Sequence, residues 1–212
     1  MLCATPEGDF GAPDFAQDGV TIGVDEAGRG PLAGPVVAAA VVLCKPIPQG
    51  LADSKRLSSK KRERLDAIVR QDCAWAVGII EPAQIDEINI LQATLQAMTD
   101  AVDRLAKILP FAVQNVLIDG NMTPAGRRDG WDWPARAIVG GDGTEPAISA
   151  ASIVAKEWRD RLMRTAAQEF PQYGWSTNMG YGTREHMEAL RKFGPTPLHR
   201  HSFAPVAQAN LL

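Results

Sequence analysis

The sequence predicts an α/β protein: a mixed five-stranded sheet flanked by helices, with a small helical extension at the C-terminal end. Three observations carry this reading. Five short apolar segments lie between residues 20 and 139. Two long segments with apolar residues at helical spacing accompany them. After Pro171 the chain becomes rich in loops.

The elements follow in order. Residues 20–25 read as a strand entered from Gly19. Residues 35–43 are dominated by Val and Ala with no polar position, the pattern of a strand covered on both faces. Ser58 can cap a helix running to about residue 69. Residues 75–80 form the third strand. Pro82 opens a short helical turn, and Asn89 can cap a long helix ending at Leu109. In that helix Ile90, Leu91, Leu95, Met98, Val102, Leu105 and Leu109 recur on one face, and Pro110 stops it. Residues 113–119 are a strand closed by the turn signal Gly120-Asn121; residues 135–139 are the fifth strand; residues 147–169 are the second long helix. A shorter helix covers residues 184–193. Short connections among the first three strands allow antiparallel pairing, and the long helix before Val113 allows a parallel crossover.

Composition narrows the class. A chain of 212 residues fits one large domain. The longest apolar run, residues 35–44, is too short to cross a bilayer, so no membrane association is expected. No basic residue precedes Arg29, which argues against a secretory signal and for a cytoplasmic protein. Cys3, Cys44 and Cys73 form no CxxC pair, so reduced thiols are expected rather than a disulfide or zinc framework. A net charge of −3 weighs against a uniformly basic nucleic-acid binder. The charge is uneven, however. Residues 55–64 hold Lys55, Arg56, Lys60, Lys61, Arg62 and Arg64 against Glu63 alone, whereas residues 1–19 carry four acidic residues and no basic one and read as a disordered acidic tail.

Carboxylates sit at the strand ends. Asp25-Glu26 closes the first strand, Asp119 closes the fourth, and Asp142 follows the fifth within Gly140-Gly141-Asp142-Gly143. Singly, each reads as a turn residue, because Asp beside Gly is common in turns. If the first, fourth and fifth strands are neighbours, all four converge. Two like charges 4 Å apart repel by roughly 4 kcal/mol at an effective dielectric of about 20, so shared protons or divalent cations must compensate. Hard cations such as Mg²⁺ or Mn²⁺ suit carboxylate ligands. The three histidines, His186, His199 and His201, all lie far along the chain, which disfavours zinc. No phosphate-binding Gly-x-x-x-x-Gly-Lys loop and no Gly-x-Ser-x-Gly nucleophile elbow is present.

These residues resemble a known family. Asp25-Glu26-Ala27-Gly28-Arg29-Gly30-Pro31-Leu32-Ala33-Gly34 is similar to the opening signature of ribonuclease HII, the type 2 ribonuclease H. Asp53-Ser54-Lys55, Ile118-Asp119-Gly120-Asn121, Gly141-Asp142, the block from Ile148 to Lys156, Gly180-Tyr181-Gly182-Thr183 and Ser202-Phe203-Ala204-Pro205-Val206 follow in the family's order. The resemblance spans about residues 20–206 and implies a ribonuclease H-like fold. It implies Asp25, Glu26, Asp119 and Asp142 as catalytic metal ligands for Mg²⁺ or Mn²⁺. It implies that Gly28, Arg29 and Gly30 read a ribose 2′-hydroxyl, with Tyr181 beneath the sugar. Ser54, Lys55 and Lys156 become expected phosphate contacts. The implied substrates are RNA–DNA hybrids and duplex DNA holding ribonucleotides, and the protein is expected to be a monomer. Residues 20–170 would be the catalytic domain and 171–212 a substrate-contacting extension. Three positions depart from the common pattern: Gly140 in place of Lys, Asn178-Met179 in place of His-Lys, and His201 in place of Arg. Each removes a possible phosphate grip while every carboxylate remains. A non-catalytic duplex-binding module would call for a broken carboxylate set. A DNA-directed nuclease of the same superfold would have no use for a 2′-hydroxyl reader. Type 3 ribonuclease H would need a longer segment before the first strand.

Overall fold

The computed structural model describes residues 19–209 and, for backbone pairing, residues 3–4. The expectation of a disordered acidic tail falls almost wholly outside the described residues. Six strands form one sheet: β1 (Cys3–Ala4), β2 (Val20–Ala27), β3 (Val36–Val42), β4 (Ala74–Ile80), β5 (Val113–Asp119) and β6 (Ala135–Ile138). Their spatial order is β1-β4-β3-β2-β5-β6. The two-residue β1 lies at the edge, so the sheet is in substance the five-stranded one expected. β2, β3 and β4 pair antiparallel, whereas β2–β5 and β5–β6 are parallel.

Both faces of the sheet are covered, and β3 shows why its sequence has no polar position. Val36, Ala38, Ala40 and Val42 face helix α2 (Pro82–Ile108), while Val37, Ala39 and Val41 face α1 (Ser59–Asp72) and α3 (Pro146–Glu169). Period-two alternation therefore feeds two separate cores. Gly23 and Gly78 permit close approach on opposite faces. A Cβ at Gly23 would lie 2.2 Å from the Ala147 carbonyl carbon of α3, and one at Gly78 would lie 2.0 Å from the Ala97 oxygen of α2. The sheet thus positions the N-terminal turn of α3 directly over β2.

Local signals in the sequence explain the helix starts. Ser58 accepts from the Lys61 amide and begins α1. Asn89 sits at φ 65° inside α2, and its Oδ1 accepts from the Leu91 and Gln92 amides at 3.0 and 3.1 Å. The helix from Pro82 is therefore interrupted and restarted by an internal cap, as the Asn at this position suggests. Beyond α3 lie two short helices, α4 (Trp175–Asn178) and α6 (Ala204–Ala209), and the expected α5 (Arg184–Phe193).

Two expectations are corrected here. Cys44 and Cys73 are joined as a disulfide with Cα atoms 4.6 Å apart, instead of standing as separate thiols. They flank the antiparallel pair Val42↔Ala74, so the register of β3 and β4 brings them together. The basic stretch is not uniformly displayed either. Arg62 is buried, with its Nε 2.6 Å from Glu157 Oε1. On α3, Arg159 is buried and Arg161 pairs with Asp66 at 2.8 Å. These three cations serve the fold, whereas Lys55, Arg56, Lys60, Lys61 and Arg64 remain exposed.

Candidate metal centre and the loops around it

Strand register assembles the acidic cluster. In the parallel pair, Val24 lies opposite Ile118, so the next residues, Asp25 and Asp119, stand side by side on one face. That face is the one covered by α3, because Ile22, Val24, Val116 and Ile118 occupy the other. Asp142 lies in the 3₁₀ turn Gly141–Gly143 that leads into α3 on the same side. Each of Asp25, Asp119 and Asp142 offers a carboxylate oxygen, and these oxygens lie within 4.8 Å of one another; it is the one such group of His, Cys, Asp or Glu among the described residues. Asp119 Oδ1 also accepts from the Asp142 amide at 3.3 Å, which ties the turn to β5.

Glu26 stands one step further along β2 and so leaves the strand on the opposite side. Its carboxylate lies 3.4 Å from Arg29 Nη1 and outside the three-oxygen group, though close enough for Asp119 to act on its charge. Residue order in the sequence suggests four equivalent carboxylates; alternation along the strand separates them into three and one.

The electrostatics are those of an acidic site only partly compensated by Arg29 and Lys55. Burial, then Glu26 and Asp119, push the Asp25 carboxyl well above its ordinary range, against a hydrogen bond from Ser152. Burial also raises Glu26, with Arg29 opposing. Burial, then Asp119 and Asp53, raise Asp142. Burial alone would lower the Lys55 ammonium, but Asp25, Asp142, Asp53 and Asp119 outweigh it and hold it above the usual lysine value. Lys55 therefore faces the cluster. Three clustered carboxylates whose negative charges repel one another are the donor set a hard divalent cation requires, and they fit it.

Around the cluster, the structure places the remaining sequence candidates as follows. Gly28 is buried at φ 99°, a conformation open to glycine, and a Cβ there would strike the Arg159 side chain at 2.1 Å. Arg29 and Gly30 are exposed. A Cβ built on Gly30 would lie 3.7 Å from Tyr181 Cε1, so the Tyr181 ring, 47% exposed, stands in contact distance of the Gly28–Arg29–Gly30 turn. Ser54 is buried, with its hydroxyl 2.8 Å from that of Ser152 on α3. Lys156 is tied to Asp160 at 2.5 Å. Among the positions that depart from the family pattern, Asn178 builds the Tyr181 turn. Its amide donates to the Tyr173 carbonyl at 2.7 Å and its Oδ1 accepts from Gly180 at 2.9 Å.

Sequence reasoning missed the supports of that turn. The Thr196 amide donates to His199 Nδ1 at 2.9 Å, so the His199 proton sits on Nε2 and points to His186 Nε2 at 3.1 Å. His186 Nε2, which also accepts from Trp175 Nε1, must then be unprotonated, and His186 Nδ1–H donates to the Tyr181 carbonyl at 2.9 Å. Both imidazoles are held neutral. Burial lowers His186, and burial with His186 and His201 lowers His199 to about 4. Arg159 and Arg200 were missed as well; both are buried, and both donate to carbonyls of residues 28–35. No local pattern flags them, because their acceptors lie more than 100 residues away in sequence.

A sheet of this order, with an acidic cluster at the carboxyl ends of its parallel strands beneath a covering helix, defines a metal-dependent nuclease of the ribonuclease H-like fold. The ribonuclease HII family model matches residues 22–206. Ribonuclease HII of Novosphingobium aromaticivorans is 65% identical over 91% of this chain and 100% of that protein. Among solved structures, ribonuclease H2 of Pyrococcus horikoshii OT3 superposes with a TM-score of 0.72 at 26% identity, covering 90% of this chain and 97% of that one. Bst-RNase HIII in complex with Mn²⁺ superposes with a TM-score of 0.76 at 19% identity over 92% and 71% of the two chains, a likeness of fold. The chain belongs to the ribonuclease HII family. No helix among the described residues is long and apolar enough to cross a membrane.

Proposed function

We propose that the chain is an endoribonuclease that hydrolyses the RNA strand of RNA–DNA hybrids and cuts 5′ of ribonucleotides embedded in duplex DNA, leaving 3′-hydroxyl and 5′-phosphate ends. The observation that carries this is a juxtaposition. Asp25 and Glu26 lie at the end of β2, the Gly28–Arg29–Gly30 turn follows the strand directly, and Tyr181 stands beside Gly30. A sugar read at the turn therefore has its adjoining phosphate at the carboxylates.

Asp25, Asp119 and Asp142 would hold Mg²⁺ or Mn²⁺, with Glu26 reaching in from the other side of the strand. The Mn²⁺ complex of the fold relative supports such a site. When bound, two such ions supply an activated water and stabilise the leaving oxygen of an in-line displacement. The protein's own groups orient the substrate. The exposed amides of Arg29 and Gly30 suit the 2′-hydroxyl and sugar–phosphate oxygens, and the Tyr181 ring gives the sugar a flat support. Lys55 faces both the carboxylates and solvent, which suits a phosphate beside them. The burial of Ser54 and the pairing of Lys156 favour indirect parts, Ser54 holding the Lys55 loop and Lys156 reaching phosphate only by leaving Asp160. Residues 20–170 act as the catalytic domain and 171–212 as the extension that carries Tyr181. A cytoplasmic monomer completes the reading.

The test is cleavage of an RNA–DNA hybrid and of a matched all-DNA duplex in Mg²⁺, in Mn²⁺ and in chelator. Cutting of the hybrid alone, abolished by chelator and by Asp25→Asn, is expected. Equal cutting of both duplexes, or activity in chelator, would refute the reading.

A further inference from the structure

Residues 28–35 leave β2 and return to β3 with the carbonyls of Gly28, Arg29, Ala33, Gly34 and Pro35 turned inward. Two buried arginines take those carbonyls. Arg200 is wholly buried and donates through Nη2 to Gly28 O at 2.5 Å, through Nη1 to Arg29 O at 3.0 Å, and through Nε and Nη2 to Gly34 O at 3.0 and 2.8 Å. Arg159 donates to Pro35 O at 3.0 Å, Ala33 O at 3.0 Å and Met179 O at 2.9 Å. Neither guanidinium has an ion-pair partner among the described residues, although a buried charge ordinarily demands one. Burial lowers Arg200 to about 9 and Arg159 to about 10. Such groups are costly to keep, and what they hold explains their retention.

In a trans peptide unit the carbonyl and the amide point in opposite directions. The Gly28 carbonyl shares its unit with the Arg29 amide, and the Arg29 carbonyl shares its unit with the Gly30 amide. Holding both carbonyls toward the interior turns both amides toward solvent. Arg29 and Gly30 are indeed exposed, and neither amide donates to an acceptor within the described protein. By contrast the Gly34 amide, in the same loop, is taken by Leu198 O at 2.8 Å.

We infer that Arg200 is the positioning residue of ribose recognition, fixing the Gly28–Arg29 and Arg29–Gly30 peptide planes so that two adjacent amides are presented to the substrate in advance. This rests on the ribonuclease reading above and names the residue through which its specificity is built. Arg200 touches no substrate; it acts through the backbone. Its planar fork matters more than its charge, because three carbonyls must be met at once. Arg159 anchors the far end of the same loop and the Tyr181 turn, and does not hold the two critical planes.

The experiment compares wild type, Arg200→Lys and Arg159→Lys in the full chain on duplexes with no ribonucleotide and with one. Arg200→Lys keeps the buried charge and loses the fork. Its kcat/KM at the ribonucleotide should fall about 10- to 100-fold, and the preference for ribose over deoxyribose should fall with it, since unmet hydroxyl-reading sites discriminate poorly. Stabilisation by Mn²⁺, read from the melting temperature, should persist. A merely structural role would lower the active fraction on every substrate and leave KM and the preference unchanged, and that outcome overturns the inference. Should Arg200→Lys fail to fold, wild type decides by NMR. The Arg29 and Gly30 amides of the free protein should show order parameters near 0.85 despite their exposure, and values below about 0.6 would show that the planes are not preset. If wild type itself shows no ribose preference, the ribonuclease reading fails; if wild type shows it and Arg200→Lys keeps it in full, this inference alone fails.

Discussion

Replacing Asp119 by Asn separates the electrostatics of the metal centre from its shape. Asn keeps an oxygen to accept from the Asp142 amide, now 3.3 Å away, and removes one negative charge. Asp119 is a cause of the raised carboxyls of Asp25, Glu26 and Asp142, so the repulsion is distributed over the site. Oxygens of the three aspartates lie within 4.8 Å of one another. At that distance and an effective dielectric of ~20, one like-charge pair costs roughly 3.5 kcal/mol. Asp119 and Asp142 are half-exposed, and solvent screening reduces the gain on removal to about 1 kcal/mol. A domain of this size shifts its melting temperature by about 2–4 °C per kcal/mol. In chelator, Asp119→Asn should therefore melt about 2–4 °C above wild type. In saturating Mg²⁺ the order should reverse, because wild type gains about 2.7 kcal/mol when the ion stands at 100 times its dissociation constant and the variant does not. Differential scanning calorimetry in both buffers reads this directly, and cleavage of a hybrid by the variant should be lost. A variant that melts lower in chelator, or that Mg²⁺ stabilises as much as wild type, would refute the reasoning.

Other outcomes follow from the surrounding loops. Tyr181→Ala should lose most cleavage at a single embedded ribonucleotide and Tyr181→Phe less, because the ring beside Gly30 survives in Phe; equal rates for Ala and wild type would remove the ring from the site. Met179→Lys, at a position already in the left-handed region with φ 50°, should tighten duplex binding and steepen the log–log salt slope by up to about one unit, measured by anisotropy in a salt series. The neutral His186–His199 pair gives a pH signature. Both groups titrate lower in the fold than the ordinary 6.5, so their contribution to stability is complete above pH 6.5 and is lost as pH falls toward about 4. The difference in melting temperature between wild type and His199→Asn should shrink over that interval in metal-free buffer; a constant difference would contradict the neutral pair.

Much of this architecture is legible in the sequence because its signals are local. The unbroken Val/Ala run of β3 declares a strand buried on both faces, and Asn89 announces the restart of a helix. Asp25 and Asp119 are legible as partners once their strands are taken as neighbours, since each lies at or near the carboxyl end of its strand. What stays hidden depends on register and on distant contacts. Glu26 sits apart from the other carboxylates because adjacent strand residues face opposite ways, which residue identity does not reveal. Cys44 and Cys73 meet only through the β3–β4 register. Arg62 reads in sequence as part of a basic stretch and turns inward in the fold. Arg200 finds its carbonyl acceptors at least 166 residues away, and nothing near it in the chain marks it.

The central claim, that a ribose-reading turn directly after β2 delivers the neighbouring phosphate to the carboxylates, is tested most directly by one end-labelled DNA duplex carrying a single ribonucleotide. In Mg²⁺ the labelled strand should be cut once, at the phosphate on the 5′ side of that ribonucleotide, leaving a 3′-hydroxyl and a 5′-phosphate. The same duplex with deoxyribose at that position should stay whole. A cut on the 3′ side, a cyclic phosphate end, or equal cutting of the all-DNA strand would contradict it.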